Sequence, residues 1–161
     1  MITIKLERKD ELTCAAIAFR REAESPTKVD RSVQKVTFHE SIYRNAEAIG
    51  SEMAVAAYFG IPNFEPTVNT FKMKADFASS IEIKHTSYEH GHLIIKPSDR
   101  DDDVAILVTG SSPTYVLRGW MPIKRVKTSR YLRGDGSWWV PQADLYPLDD
   151  LVRSHYASAL L

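Results

Sequence analysis

The sequence predicts an α+β fold: helices near the N-terminus, a mixed and mostly antiparallel sheet flanked by those helices, and a closing helix. Two patterns support this prediction. Apolar residues recur every three or four positions between His39 and Phe59, as on one face of an amphipathic helix. Between residues 71 and 121 apolar and polar residues instead alternate, as in half-buried strands, and the short connections favour antiparallel pairing.

The first part of the chain is expected to be helical after one short strand. Residues 2–8 alternate like a strand, and Asp10 is expected to cap a helix that runs towards Glu24. A polar connection over residues 25–38 then leads into the longer amphipathic helix, 39–59.

Strands dominate the second part of the chain. The predicted strands are 71–77, 81–84, 93–95, 104–108, 115–121 and 137–140. The sequence Gly134-Asp135-Gly136 is typical of a hairpin turn before the last of them. Residues 145–161 are expected to form the closing helix. Because no internal repeat or long linker is visible, we expect residues 1–161 to form a single domain.

The composition favours an ordinary cytoplasmic domain. A chain of 161 residues with 43% hydrophobic residues can bury a core without disulfides or a structural metal. Its one cysteine, Cys14, cannot form an internal disulfide and is expected in the core. The N-terminus lacks the apolar run of a signal peptide, and no stretch is long and apolar enough for a membrane helix. We therefore expect a cytoplasmic location and no membrane partner.

The charges are balanced overall but segregated along the chain. Lysine plus arginine and aspartate plus glutamate each total 21, so net charge alone does not indicate a nucleic-acid-binding protein. Between residues 118 and 133, however, all charged side chains are basic. They are Arg118, Lys124, Arg125, Lys127, Arg130 and Arg133. With Trp120 and Tyr131, this basic segment suits a phosphate backbone and unpaired bases, and it fits a solvated loop equally well.

The chemically informative residues are Asp76, Glu82 and Lys84. Glu82 and Lys84 are two residues apart on a predicted strand, so their side chains leave the same face. Asp76 ends the preceding predicted strand, and a tight turn brings it beside them. Two carboxylates can hold Mg²⁺ while leaving room for water and a phosphate oxygen, and the lysine can orient that water. Taken alone, a Glu-x-Lys pair on a strand is more often a solvated ion pair.

The order of these residues resembles the PD-(D/E)XK nuclease superfamily. A helix containing Glu52 comes first, followed by Lys74-Ala75-Asp76-Phe77 and then Ile81-Glu82-Ile83-Lys84. These segments look like the helical glutamate, the aspartate strand and the E-x-K strand of that superfamily. The likeness covers about residues 40–110. It implies a restriction-endonuclease-like core and suggests a phage or bacterial member.

The resemblance also implies a chemistry. Mg²⁺, with Mn²⁺ expected to substitute, would be bound by Asp76, Glu82 and the backbone carbonyl of Ile83. Lys84 would position a metal-activated water that hydrolyses a DNA phosphodiester bond, and Glu52 would be an auxiliary ligand or base. Alone, Glu52 also fits a boundary position on a surface helix. One departure is that residues 85–92 and 97–103 leave little room for the helix that usually follows the E-x-K strand.

Partners follow from the same resemblance. DNA would lie against the basic segment and against His85, which adjoins Lys84. Cutting of both strands generally needs two active sites, so a homodimer is possible. The alternative function is a catalytically inactive nuclease-fold module that binds nucleic acid or a protein partner, for example a phage-encoded inhibitor or recruiter.

The histidines offer a rival metal site. His85, Glu89, His90 and His92 are ligand types that suit zinc or nickel. The cluster spans a predicted turn, however, and zinc needs three or four convergent ligands. Surface histidines are therefore the favoured interpretation.

Overall fold

The computed structural model describes residues 1–24, 36–68, 76 and 79–160. The α-helices are α1 (Arg8–Ala23), α2 (Phe38–Tyr58), α3 (Ile123–Val126) and α4 (Leu148–Val152). The strands are β1 (Ile2–Lys5), β2 (Ile81–Thr86), β3 (Leu93–Ile95), β4 (Val104–Ser111), β5 (Thr114–Pro122) and β6 (Trp138–Val140). Two short 3₁₀ helices, Gln142–Asp144 and His155–Leu160, complete the described elements.

Each long helix begins at a reciprocal cap. In α2 the Thr37 hydroxyl accepts a hydrogen bond from the Glu40 backbone N–H (3.2 Å), and the Glu40 carboxylate accepts one from the Thr37 N–H (3.1 Å). The expectation that Asp10 caps α1 is wrong by three residues. The cap is Glu7, whose backbone N–H donates to the Asp10 carboxylate (3.0 Å), so Asp10 lies in the first turn.

Four strands form a mixed sheet in the order β1-β5-β4-β2. The β1–β5 and β4–β5 pairs are antiparallel, and the β2–β4 pair is parallel. The α+β class with a mixed, helix-flanked sheet is confirmed. Short connections favoured antiparallel pairing, but β2 and β4 pair in parallel. Residues 87–103 form a crossover between them, and β3 within it pairs with β6 in a separate two-stranded sheet.

The core lies on both faces of β4. Val104, Ile106 and Val108 pack in the cluster that includes α1 and α2, whereas Ala105 and Leu107 pack with β3, β6 and α3. Burial on both faces explains why this strand reads as a continuous apolar run in the sequence.

The C-terminal region differs from its prediction. Instead of one helix over 145–161, the chain forms α4 and then the 3₁₀ helix His155–Leu160, and the other 3₁₀ helix, Gln142–Asp144, lies just before this region. Pro147 has extended backbone angles (φ −60°, ψ 143°) and caps α4. A proline disfavours the helical conformation of the residue before it, so a helix cannot run through this point. The predicted turn at Gly134-Asp135-Gly136 is confirmed, since the Arg133 N–H donates to the Ser137 carbonyl (2.8 Å).

Some predictions fall on residues that are not described. The predicted strand 71–77 lies outside the described residues except for Asp76, as does most of the predicted connection 25–38. None of the described residues 85–103 is helical, so the helix that usually follows an E-x-K strand is absent there. Within the described parts of the chain, no helix is both long and apolar enough to cross a bilayer.

Candidate active site

The Glu-x-Lys residues lie on β2, at one edge of the described four-stranded sheet. Ile81 and Ile83 are buried in the core cluster shared with α2. Because side chains alternate along a strand, Glu82 and Lys84 lie on the opposite face. Their Cα partners on β4 are Ala105 and Leu107, which belong to the second core cluster.

Asp76 forms a hydrogen bond with the backbone in the middle of β2. Its Oδ2 accepts a hydrogen bond from the Ile83 backbone N–H (3.0 Å). Asp76 is exposed, and the bond holds its carboxylate beside the peptide units that flank Ile83. The structure therefore places the Asp76 carboxylate beside the Ile83 peptide unit, which adjoins Glu82.

Glu52 approaches from α2 and is buried, with 7% of its surface exposed. Burial raises the pKa of its carboxyl to about 7, the Arg21 guanidinium opposes that rise, and Asp76 and Glu82 add to it. Arg21 NH2 lies 3.6 Å from Glu52 Oε2, and Arg21 Nε donates to the Thr67 carbonyl (2.8 Å). The attraction between Arg21 and Glu52 offsets part of the desolvation cost of burying this carboxyl group.

Glu82 is the second carboxyl with a raised pKa. Burial is the main cause, Asp76 adds to it, Lys84 opposes it, and the pKa reaches about 7. Smaller contributions come from Asp99 and Asp103. Since Glu52, Asp76 and Glu82 affect one another, the three carboxyl groups share one region of negative potential. A bound cation or proton there would relieve their repulsion.

Lys84 is held by two carboxylates. Its Nζ lies 3.0 Å from Asp99 Oδ1 and 3.6 Å from Glu82 Oε2. Asp99 is itself fixed, because its Oδ2 accepts a hydrogen bond from the Lys96 backbone N–H (2.8 Å). Asp99 is not among the site residues predicted from the sequence, and it begins the acidic stretch 99–103. The only signal in the sequence is that an aspartate follows Lys96 by three residues, a spacing typical of a side chain that accepts a hydrogen bond within a turn.

Two cavities open on either side of β2. The cavity on the α2 side has a volume of about 530 Å³ and is lined by Arg21, Arg44, Glu52 and Asp76 among others. The cavity on the other side has a volume of about 1010 Å³ and is lined by residues that include Lys84, Asp99, His92 and Trp139. Ile83, His85 and Thr86 line both. Glu52 and Asp76 thus open to one cavity and Lys84 to the other, with β2 as the ridge between them.

The donor set suits a hard divalent cation. Asp76, Glu82 and the Ile83 carbonyl offer only oxygen ligands, and Mg²⁺ typically takes one or two carboxylates and keeps several waters. Across the described ranges of the chain, no group of three or more His, Cys, Asp or Glu side chains is placed to hold a metal ion. The predicted magnesium set contains two such side chains, Asp76 and Glu82, and Glu52 does not join them as a third metal ligand. The alternative zinc site at His85, Glu89, His90 and His92, all described, is not formed.

The basic segment is mostly engaged with the protein. Arg118 Nε donates to Thr109 Oγ1 (2.7 Å), and Lys127 Nζ donates to the Asp99 carbonyl (2.6 Å) and to Asp101 (2.6 Å). Arg125 donates to the Tyr146 hydroxyl (2.7 Å), Arg130 donates to Asp144 (2.8 Å), and Arg133 lies over the Trp139 ring, whereas Lys124 is exposed. The segment does not form one continuous free stripe.

His85 lies on the α2 side of β2. Its Nε2 is 2.8 Å from the Gly110 carbonyl oxygen, and its ring packs edge-on against Tyr115 with centroids 5.8 Å apart. It lines both cavities beside β2, so a role in substrate contact stays a prediction.

No protein-family model, no curated protein and no solved structure matches this chain in the comparisons with known proteins.

Proposed function

We propose that this protein is a metal-dependent nuclease of the PD-(D/E)XK type, with a restriction-endonuclease-like core, that hydrolyses DNA phosphodiester bonds. The observation that carries the proposal is the hydrogen bond from the Ile83 N–H to Asp76. It joins the candidate aspartate to the Glu-x-Lys strand across seven residues of sequence. The raised pKa values of Glu52 and Glu82 support it, because perturbed carboxyl groups beside a cavity are typical of active sites.

Each residue has a role that its surroundings support. Asp76, Glu82 and the Ile83 carbonyl would hold Mg²⁺, or Mn²⁺ in its place. The cation would supply Lewis-acid stabilisation of the phosphate and lower the pKa of a water. Hydrolysis forms a bond between a water oxygen and phosphorus and breaks the bond to the leaving 3′-oxygen. Lys84 orients that water, and Glu52, with a pKa of about 7, is suited to accept a proton near neutral pH.

A second candidate is a catalytically inactive nuclease-fold module that binds nucleic acid or a protein. Two observations favour it. No helix follows the Glu-x-Lys strand within residues 85–103, and Lys84 and Asp76 open to different cavities. Such a module would bind its partner in EDTA as well as in Mg²⁺.

A cleavage assay separates the two. Purified protein is incubated with linear duplex, single-stranded and branched DNA in Mg²⁺, Mn²⁺ or EDTA, with Asp76→Asn and Lys84→Met as test variants. Asp102→Asn and Lys5→Met are matched controls, because both residues are exposed and Lys5 lies on β1 at the opposite edge of the sheet.

We expect metal-dependent cutting that falls by roughly 100-fold or more in each test variant and stays within about twofold in each control. Circular dichroism checks that all four variants fold. Cutting that is unchanged in both test variants, or absent with every metal and DNA, would refute the nuclease.

A further inference from the structure

We propose that the groove on the Lys84 side of β2 binds single-stranded DNA, with unpaired bases stacked on Trp139 and Tyr88. This inference rests on the proposed nuclease function, because Lys84 in the groove is what makes nucleic acid its occupant. It adds the substrate class, which neither the Glu-x-Lys pattern nor the sheet determines.

The groove consists of two adjoining cavities. The 1010 Å³ cavity beside Lys84 and a second cavity of about 330 Å³ share His92 and Trp139 as lining residues. The second cavity extends to Arg130 and Arg133. A strand lying along the two would therefore run from Lys84 past Trp139 to the end of the basic segment. We call this continuous surface the Trp139 groove.

Trp139 is fixed as a stacking platform. Its Nε1–H donates to Ser137 Oγ (2.8 Å), its ring centroid is 5.8 Å from that of His92, and the Arg133 guanidinium lies 5.6 Å from its centre. Tyr88, on the wall of the first cavity, is 78% exposed. An aromatic side chain so exposed contributes little to the core, whereas stacking of a base on it would bury its ring.

Cations accompany the rings along the groove. Lys84, Lys96, Arg130 and Arg133 line it, against the acidic Glu89, Asp99 and Asp144. Lys96 and Arg133 form no ion pair with any residue in the described ranges. Cations that lack an acidic partner are available to a phosphate backbone. Alternating aromatic and basic side chains along a groove is the arrangement that binds single strands with little sequence preference.

The aromatic rings favour a single strand over a duplex. In a duplex the bases stack on one another and only their edges face the grooves, so Trp139 and Tyr88 would gain nothing by stacking. In a single strand each base offers a free face. We therefore expect an unpaired strand or an unpaired end to enter the groove and reach Lys84.

The test measures binding separately from cleavage. Fluorescence anisotropy in EDTA compares a labelled 15-nucleotide single strand with its duplex, for the parent, Tyr88→Ala, Trp139→Ala and Trp139→Phe. Phe19→Ala is the control, because Phe19 is 53% exposed on α1 and remote from the groove. Since Trp139→Ala could disturb the small sheet, Tyr88→Ala, on an exposed loop, carries the test if that variant fails to fold.

We expect the parent to bind the single strand at least about 10-fold more tightly than the duplex, and Tyr88→Ala and Trp139→Ala to weaken single-strand binding by roughly 5- to 150-fold. Trp139→Phe should retain most of the affinity. Equal affinity for both forms, a duplex preference, or an unchanged affinity in Tyr88→Ala would overturn the inference. Ring-dependent binding of single strands without cleavage in any metal would leave the inference standing and refute the nuclease alone.

Discussion

Asp99 fixes the position of Lys84, because its two carboxylate oxygens bond to Lys84 Nζ and to the Lys96 backbone N–H. Removing that bond would let the ammonium group swing toward Glu82, 3.6 Å away. Misplacement of a reacting group by about 1 Å can lower the rate by as much as roughly 100-fold. The chemistry that we assign to Lys84 therefore depends on a residue outside the Glu-x-Lys motif.

We predict that Asp99→Asn lowers kcat of DNA cleavage by roughly 10- to 100-fold with little change in KM, since Asp99 acts through Lys84. Asp99→Glu, which restores a carboxylate, should recover part of the loss. Asp101→Asn is the matched control, because Asp101 pairs with Lys127 and not with Lys84. An Asp99→Asn variant as active as the control would mean that Asp99 only shapes the turn.

Glu82 should make stability depend on pH when no metal is bound. Its folded pKa of about 7 lies above the ordinary value of 4.5, so folding favours the protonated form and stability falls as pH rises from about 4.5 through about 7. A pKa shift of this size corresponds to a change of about 3 kcal/mol in the free energy of unfolding. Because Glu82 is only half-buried, solvent screening reduces that change to roughly half.

The measurement is urea unfolding in EDTA at pH 5 and pH 8. Relative to the parent, Glu82→Gln should gain about 1–2 kcal/mol between pH 5 and pH 8. Glu65→Gln, an exposed substitution, is the control. If Glu82→Gln follows the parent at both pH values, Glu82 does not titrate as its surroundings indicate.

Single residues show what the sequence could and could not predict about the site. Asp76, Glu82 and Lys84 could be proposed as site residues from spacing and resemblance, because a two-residue strand period puts Glu82 and Lys84 on one face. The burial of Glu52 was not predictable, since it depends on Arg21, 31 positions earlier and on another helix. Asp99 was missed for the same reason: its partner is remote in the sequence.

At the level of elements, α2 is held against the sheet by a close approach at Gly50. A Cβ built at Gly50 would overlap the Tyr115 hydroxyl of β5. That hydroxyl donates to the buried Glu47 carboxylate (3.0 Å), which also accepts from the Ser112 backbone N–H (3.1 Å). Glu52 lies two residues after Gly50, so this contact sets its distance from β2.

We predict that Gly50→Ala destabilises the fold by about 1–3 kcal/mol, because overpacking outweighs the higher helix propensity of alanine. The melting temperature should fall by several degrees, and cleavage should fall with it because α2 carries Glu52. Gly134→Ala, where an added Cβ meets no atom within 4 Å, should stay within about 0.5 kcal/mol of the parent. Equal stabilities of the two variants would contradict the close approach.

Long, strongly periodic elements were the predictable ones. The second helix was expected over 39–59 and is Phe38–Tyr58. Its bounds were predictable because the apolar stripe and the Thr37 cap both indicate the same start of the helix. The parallel β2–β4 pair was not predictable from connection length alone. Its crossover 87–103 is irregular apart from β3, and β3 leaves the main sheet to pair with β6.

The whole molecule carries no net charge, so the binding of DNA that we propose would depend on a few cations. Most of the basic segment bonds to the protein. Lys124 and Arg133 of that segment, and Lys96 on the groove wall, are among the cations that form no ion pair in the described part of the chain. Each cation that contacts a phosphate of a single strand lowers the slope of log K against log salt by about 0.7.

We predict a slope of about −2 for single-stranded DNA between 50 and 200 mM KCl, as expected for three phosphate contacts. The double variant Lys96→Ala and Arg133→Ala should reduce it to about −0.7. Fluorescence anisotropy at several salt concentrations gives both values. A slope steeper than about −4 would mean that the whole basic segment, Arg118 to Arg133, contacts the phosphates.

The α+β class and the mixed sheet followed from the balance of helical and alternating patterns over the whole chain. The surroundings of β2 could not be predicted from these patterns. They depend on the crossover 87–103 and on the hydrogen bond from the Ile83 N–H to Asp76, and no local pattern encodes either of them. The proposed function therefore depends most on whether Asp76 and Glu82 act together.

Binding of Mn²⁺ tests this most directly, measured by titration calorimetry at pH 8, where both raised carboxyl groups are ionised. We predict one Mn²⁺ per chain, with affinity at least about 10-fold weaker in Asp76→Asn and in Glu82→Gln and unchanged in Asp102→Asn. A parent that binds no Mn²⁺, or test variants that bind it as tightly as the parent, would contradict the assignment of Asp76 and Glu82 as metal ligands.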